Sequence, residues 1–159
     1  MVAISTSDGS EGGPYGARYL VERRNADARG WRSRSAGLPQ ELVFALCQPV
    51  TMARATFRHL LASPPESWAR VVELYLSAQP PEEQGAEPGA APVGRWTLAL
   101  TTDPQEFAFP PAAAQYIRLR ILSRQGDAAF TSLGTFALGS TAAEPSSGNP
   151  PGRAPLPPE

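Results

Sequence analysis

Gly30-Trp31-Arg32-Ser33 and, after a short loop, Leu38-Pro39-Gln40-Glu41-Leu42-Val43-Phe44-Ala45-Leu46 form the stretch whose reading decides the fold. The first part is an irregular loop closed by a tryptophan. In the second, Leu42, Phe44 and Leu46 recur at every second position, the period of a strand that buries one face. A loop-closing tryptophan followed directly by such a strand is expected where a loop-rich end caps a β-sandwich.

The same period recurs outward from this stretch, in Met52 to Phe57, Val71 to Leu76, Trp96 to Leu100, Tyr116 to Ile121 and Leu133 to Leu138. Gly, Pro, Ser and Asp separate these runs, and no long apolar pattern of period 3.6 competes with them. The chain therefore reads as all-β, a jelly-roll β-sandwich of about eight or nine strands with short helical connectors. In Gln115 to Ile121, the best single strand, Ile117, Leu119 and Ile121 face the core while Arg118 and Arg120 face away. Asp103 to Pro110 is expected as an edge element, because proline cannot donate to a ladder. Gly16 to Val21 and Pro64 to Trp68 are the two stretches with helical character, both connectors. The expected core is Leu42, Phe44, Leu46, Leu74, Leu76, Leu98, Leu100, Ile117, Leu119 and Ile121.

Domain organisation follows from composition. Residues 1–139 form one jelly-roll domain, within which the acidic, Pro/Gly-rich segment from Gln79 to Gly94 is expected as a mobile loop. From 140 to 159 the chain is Ala, Ser, Gly and Pro with Leu156 as its one aliphatic residue other than alanine. Such a segment buries too little surface to offset its ordering entropy, so it is expected as a disordered tail or a linker to something beyond.

The 14 basic and 15 acidic residues nearly cancel, every base being an arginine. That balance argues against a nucleic-acid partner, which requires positive charge against phosphates. No leader and no apolar run of about 18 residues is present, so a membrane association is not expected. Cys47 is the single cysteine, which excludes an internal disulfide and points to a cytoplasmic protein. Catalysis finds no residues to carry it. His59, the sole histidine, has no cysteine or paired carboxylate beside it in sequence and reads as a surface or satisfied structural residue; Cys47 reads as a small apolar residue at a strand end. No phosphate-binding loop, dinucleotide fingerprint or zinc-ligand spacing appears, so neither a cofactor nor an enzymatic role is expected.

The Trp-Arg-Ser turn before a Pro-Gln-Glu-aliphatic strand resembles the discoidin, or coagulation factor type C, group of galactose-binding-like jelly rolls. Within it, Ile4 to Gly12, Ala17 to Leu20, Gly30 to Ser33 and Leu38 to Glu41 together most resemble the N-terminal jelly roll of the family of the centrosomal protein of 104 kDa. The small galactose-binding-like subunit of the intraflagellar transport B complex is a weaker match, through the Pro-Gln-Glu strand. Tyr116 to Leu119 and Ser132 to Phe136 resemble the penultimate and last strands of the wider superfamily. The resemblance implies a non-enzymatic protein-interaction module, the N-terminal domain of a ciliary or centrosomal microtubule-associated protein found at the cilium or flagellum, centriole or basal body. Its alternatives are a carbohydrate-binding module and a calcium-stabilised scaffold subunit of an intraflagellar-transport-like complex. The lack of a leader and of a disulfide pair favours the first and third over the second.

Many relatives in that superfamily hold calcium in the loop before the Trp motif. Here that loop runs from Glu22 to Gly30, and Asn25 and Asp27 offer oxygen among three arginines, poor surroundings for a cation that takes six to eight oxygen ligands; no metal site is expected. Arg23, Arg24, Arg29, Arg32 and Arg34 make the loop locally basic in a neutral chain. Their planar forks suit carboxylates, so the loop is a candidate surface for an acidic protein partner such as tubulin or a tubulin-associated protein. The alternative is a solvated loop whose charges pair locally. Trp31 is read as a core plug or, otherwise, as a stacking platform. Ser33 and Gln40 are expected to satisfy backbone groups.

Overall fold

Two long strands carry the architecture. The computed structural model describes residues 2–6, 20–21, 30–80 and 91–140, the first five as backbone alone. Among them are eight strands: β1 (Val2–Thr6), β2 (Trp31–Arg32), β3 (Gln40–Arg58), β4 (Val71–Ser77), β5 (Gly94–Thr97), β6 (Gln105–Ile121), β7 (Ser132–Leu133) and β8 (Thr135–Gly139). Strand β3 has 19 residues and β6 has 17, far above the usual length of roughly five or six, because each belongs to two layers. Gln40–Ala45 pairs with Tyr116–Ile121 in one layer, and Arg54–Phe57 pairs with Gln105–Ala108 in the other. Between the halves the register breaks twice, with extra residues at 46–49 of β3 and 109–111 of β6. Pro49, Pro110 and Pro111 sit at these interruptions, where a missing N–H costs no ladder bond.

The first layer has the order β1-β3-β6-β4-β5, and in the other the second half of β3 pairs with β8 as well as with the first half of β6. Alternate side chains meet between them. Leu42, Phe44, Val72, Leu74, Ile117 and Leu119 are fully buried, as are Phe57 and Phe136 from the facing layer. The Phe136 ring lies 5.5 Å from that of Phe44 and 5.3 Å from that of Phe57. Burying one such side chain contributes about 1.5–3 kcal/mol, so this interdigitation is the main stabilising term. Trp96 of β5 stacks on Phe107 of β6 at 5.1 Å and closes one side of the sandwich.

The expected all-β jelly roll is observed, with boundaries that differ. Leu42 to Leu46 and Met52 to Phe57 are one strand, as are the expected edge element and Tyr116 to Ile121. Leu133 to Leu138 divides at Gly134, because β7 pairs with β2 while β8 pairs with β3. Strand β5 ends at Thr97, and the Leu100 placed in the core by its alternation is 62 % exposed. Its neighbours explain the correction: Leu98 donates its N–H to Arg70 and remains buried, after which Thr101 bonds back to Ala99 in a tight turn that breaks the period. Leu46 and Leu76 are half-buried against the core. Cys47 does not pack as a small apolar residue but is exposed at the corner. Of the connectors, Pro65–Ser67 is a 3-10 turn, and from Gly16 to Val21 the described part is a buried Leu20 with Val21. Most of the acidic segment, 81–90, and the tail from 141 lie outside the described residues.

Away from the core, the first layer carries a row of alternating charge. Arg95, Glu73, Arg120 and Glu41 stand directly opposite one another on β5, β4, β6 and β3. Glu41 is only 2 % exposed, and its carboxylate receives the Nε and Nη2 of Arg118 at 3.0 and 2.5 Å and lies 3.5 Å from Arg120 Nε. Glu73 is paired with Arg95 at 3.2 Å and accepts from the Tyr75 hydroxyl at 2.6 Å. Burial, then the adjoining carboxylate, raises the Tyr75 pKa above its ordinary value.

Candidate functional site at the loop end

Because β3 runs up one layer and down the other, both its ends lie at the same end of the sandwich, where residues 33–39, 59–70, 98–104 and 122–131 gather. The opening motif builds this end. Trp31 is wholly buried and pairs with Leu133, which corresponds to the core plug and leaves no platform. Gly30 precedes it because a Cβ there would come within 2.6 Å of the Leu133 carbonyl, and Gly134 likewise passes the His59 carbonyl at 2.5 Å. Ser33 exchanges backbone bonds with Thr131, its hydroxyl accepting the Thr131 N–H at 2.8 Å and donating to the Ser35 carbonyl at 2.7 Å. Gln40 donates to the Gly37 carbonyl at 2.7 Å. Both residues thus serve backbone, as expected.

Behind these loops stands a stacked pair. The His59 and Trp68 rings lie 4.5 Å apart and 10° from parallel. Trp68 Nε1 donates to the Leu60 and Ser63 carbonyls at 2.9 and 3.1 Å. Since a carbonyl only accepts, the 2.8 Å contact from His59 Nε2 to the Ala99 oxygen assigns the proton to Nε2. The buried Nδ1 is then an acceptor without a partner among the described residues. Desolvation lowers the His59 pKa, opposed by the bond to Ala99, so the ring is neutral and structural.

In front lies a shallow depression of about 170 Å³ lined by Pro65, Glu66, Leu100, Gln125 and Gly126. Its floor is fixed by backbone: Gly126 N–H donates to the Glu66 carbonyl at 2.9 Å and Gln125 N–H to that of Trp68 at 2.7 Å. The Gln125 amide nitrogen donates to the Leu98 and Ala69 carbonyls at 2.8 and 3.2 Å, which orients the side chain and leaves its oxygen as an acceptor. The depression thus brings the apolar Pro65 and Leu100 beside Glu66 and Gln125, two residues whose side-chain oxygens can accept hydrogen bonds. It is smaller than the roughly 300–1,000 Å³ of a drug-sized site. Among the described residues no three His, Cys, Asp or Glu side chains gather as a metal site would require.

Of the five sequence-derived binding residues, the structure describes two. Arg32 lies with its guanidinium 4.7 Å over the Phe130 ring, its Nε donating to the Ser63 hydroxyl at 2.7 Å. Arg34 is exposed on the neighbouring bend. Arg23, Arg24 and Arg29, and with them Asn25 and Asp27, lie outside the described residues. Sequence reasoning missed the depression entirely. Leu100 read as core and Pro65-Glu66 as a connector, while Gln125-Gly126-Asp127 carried only the signal of a turn.

Chain comparisons fit this architecture. The structure is similar to the family 32 carbohydrate-binding module of Clostridium perfringens NanJ in complex with galactose, with a TM-score of 0.64, 18% identity, and coverage of 86% of this chain and 97% of the other. A second likeness is to the third family 32 module of a family 31 glycoside hydrolase from Clostridium perfringens, with a TM-score of 0.70 at 14% identity, covering 88% of this chain and 90% of that one. A third is to the F5/8 type C domain of a Bacteroides fragilis protein, with a TM-score of 0.63 at 17% identity over 86% and 94% of the two chains. No protein-family profile and no curated protein matches the sequence. The fold is therefore that of the galactose-binding-like, discoidin-type jelly roll. The expected ciliary, microtubule-associated domain is corrected by the same findings: the first two of these neighbours are carbohydrate-binding modules, and the kinship to a centrosomal family is not shown. The resemblance misled because the residues that carried it are structural here: Trp31 is buried in the core and Gln40 holds a backbone carbonyl.

Proposed function

We propose that the chain is a carbohydrate-binding module that takes a single sugar ring in the loop-end depression. The observation that carries this reading is the juxtaposition of Pro65 and Leu100 with the acceptors of Glu66 and Gln125. A pyranose has an apolar face of C–H groups and a rim of hydroxyls. Leu100, exposed as few leucines are, offers the face a dry contact, while the carboxylate and amide oxygens accept from the rim. Galactose and N-acetylgalactosaminyl-galactose, bound by two of the structural neighbours, are the first sugars to try. Binding rather than bond cleavage fits this lining: His59 is enclosed, and among the described residues no second acid lines the depression beside Glu66.

Titration calorimetry of the parent chain against galactose, that disaccharide and a chitosan oligosaccharide is the test. Leu100→Ala and Glu66→Gln should each weaken binding about tenfold, the effect of losing one apolar contact or one charge-assisted bond. No binding by the parent to any sugar, or full binding by both variants, would remove this reading.

A further inference from the structure

Next to the Gln125-Gly126 turn, three arginines stand on two facing loops, Arg32 and Arg34 on one and Arg124 on the other. Arg124 Nη1 donates to the Ala36 carbonyl at 2.9 Å and lies 3.4 Å from the Thr131 hydroxyl. Arg34 stands two residues from Ala36 on the same bend, exposed, and Arg32 lies across Phe130, the neighbour of Thr131. These loops are tied together by the Ser33–Thr131 bonds, so the backbone that carries the arginines is a fixed frame. Elsewhere among the described residues several arginines meet carboxylates, as Arg54 meets Glu106, Arg95 meets Glu73 and Arg118 meets Glu41. Among the described residues neither Arg34 nor Arg124 meets a carboxylate. Asp127, the acid nearest Arg124 in sequence, is exposed just past the turn, and Glu41, seven residues from Arg34, is paired with Arg118.

We propose that this arginine rim makes the module selective for an anionic saccharide, one whose sugar ring sits in the depression and whose carboxylate or sulfate reaches Arg34 and Arg124. The inference rests on the carbohydrate reading of the depression. Guanidinium donors suit both anions through paired N–H bonds, and Arg124 keeps donors beyond the one spent on Ala36. Its contacts to a backbone carbonyl and a hydroxyl hold the fork in place without neutralising its charge, so little ordering entropy remains to be lost on binding. Glu66, a like charge, directs an anionic substituent away from the depression and towards the rim, while the neutral hydroxyls of the same ring remain beside it.

The test compares three oligosaccharides of similar length, a neutral galactan, a polygalacturonate and a chondroitin sulfate, with poly-glutamate as a non-sugar anion. The parent is expected to bind at least one acidic saccharide about tenfold more tightly than galactan at low ionic strength, with the advantage shrinking as salt is added. Arg34→Glu, on an exposed bend, should abolish that advantage while leaving the galactan affinity intact, and Leu100→Ala should weaken acidic and neutral saccharides together. Preference for the uronate over the sulfate, or the reverse, identifies the anion. Equal affinity for neutral and acidic saccharides, or an unchanged preference in Arg34→Glu, overturns this inference and leaves the carbohydrate reading standing. Binding to poly-glutamate as tight as to the acidic saccharides, and unmoved by Leu100→Ala, identifies an acidic-peptide surface and overturns it as well. Failure of the parent to bind any saccharide removes the underlying reading together with this one.

Discussion

On the outer face of the first layer, Arg118 and Arg120 converge on a carboxylate that is almost wholly buried, whereas at the loop end Arg34 stands in solvent and Arg124 rests on a backbone carbonyl. The residue type is the same and its consequences differ. Where strands pack side by side, each charge has an opposite neighbour fixed by the ladder, and the arginines are part of what holds the sheet together. Where loops meet, the geometry supplies dipoles but no counter-charge, and the guanidinium groups keep their capacity to bind. An arginine's role is thus set less by its own chemistry than by whether the backbone has placed an acid opposite it.

The largest expected effect lies on the sheet. Glu41→Ala leaves Arg118 and Arg120 largely buried without their carboxylate and should cost about 3–5 kcal/mol, read from urea melts. A loss below about 1 kcal/mol would mean that solvent already reaches the cluster and that the two regions differ less than described.

A smaller effect is expected behind the loop end, from His59. Its folded-state pKa lies below the ordinary 6.5, so between the two values the unfolded chain takes up a proton that the folded chain refuses. The corresponding stability is complete above pH 6.5 and is lost as pH falls through that value towards the lowered one. The urea midpoint should therefore fall on acidification, and His59→Phe, which retains a ring against Trp68, should flatten the slope. An equal slope in parent and variant would assign acid sensitivity to groups other than His59.

Arg34→Glu marks the small end of the comparison. With no partner to lose in the described structure, it should change stability by no more than about 0.5 kcal/mol. A larger destabilisation in the same melts would show that Arg34 is held as Arg118 is, and that the loop end too is an internally neutralised surface.

What the sequence made legible was parity. Ile117, Leu119 and Ile121 inward, with Arg118 and Arg120 outward, follow from a period of two, and so does the jelly-roll class. Parity is local, however, and says nothing of which strand lies alongside: that Glu41 stands opposite Arg120 depends on two breaks in the β3–β6 register. Leu100 shows the same limit, because its alternation with Leu98 was real in sequence and ended physically one turn earlier. The depression was illegible for a related reason. Its lining comes from positions 65, 66, 100, 125 and 126, brought together only by backbone bonds between turns, and turns carry little periodic signal. The arginine loop was legible as charge, and two of its five members, Arg32 and Arg34, lie at the same end of the fold as that depression.

The row Arg95, Glu73, Arg120 and Glu41 has one more consequence. Sliding any of these strands by one residue would turn its charged side chain into the apolar interior and take it out of the row of ions, so the row acts as a key that admits a single alignment of four strands. It also finishes well. Its last member, Arg95, stands on the short edge strand β5 with its side chain 62 % exposed, and a cation there discourages a second sheet from continuing the ladder. The same four residues that fix the order within the molecule therefore help to keep its edge from joining another.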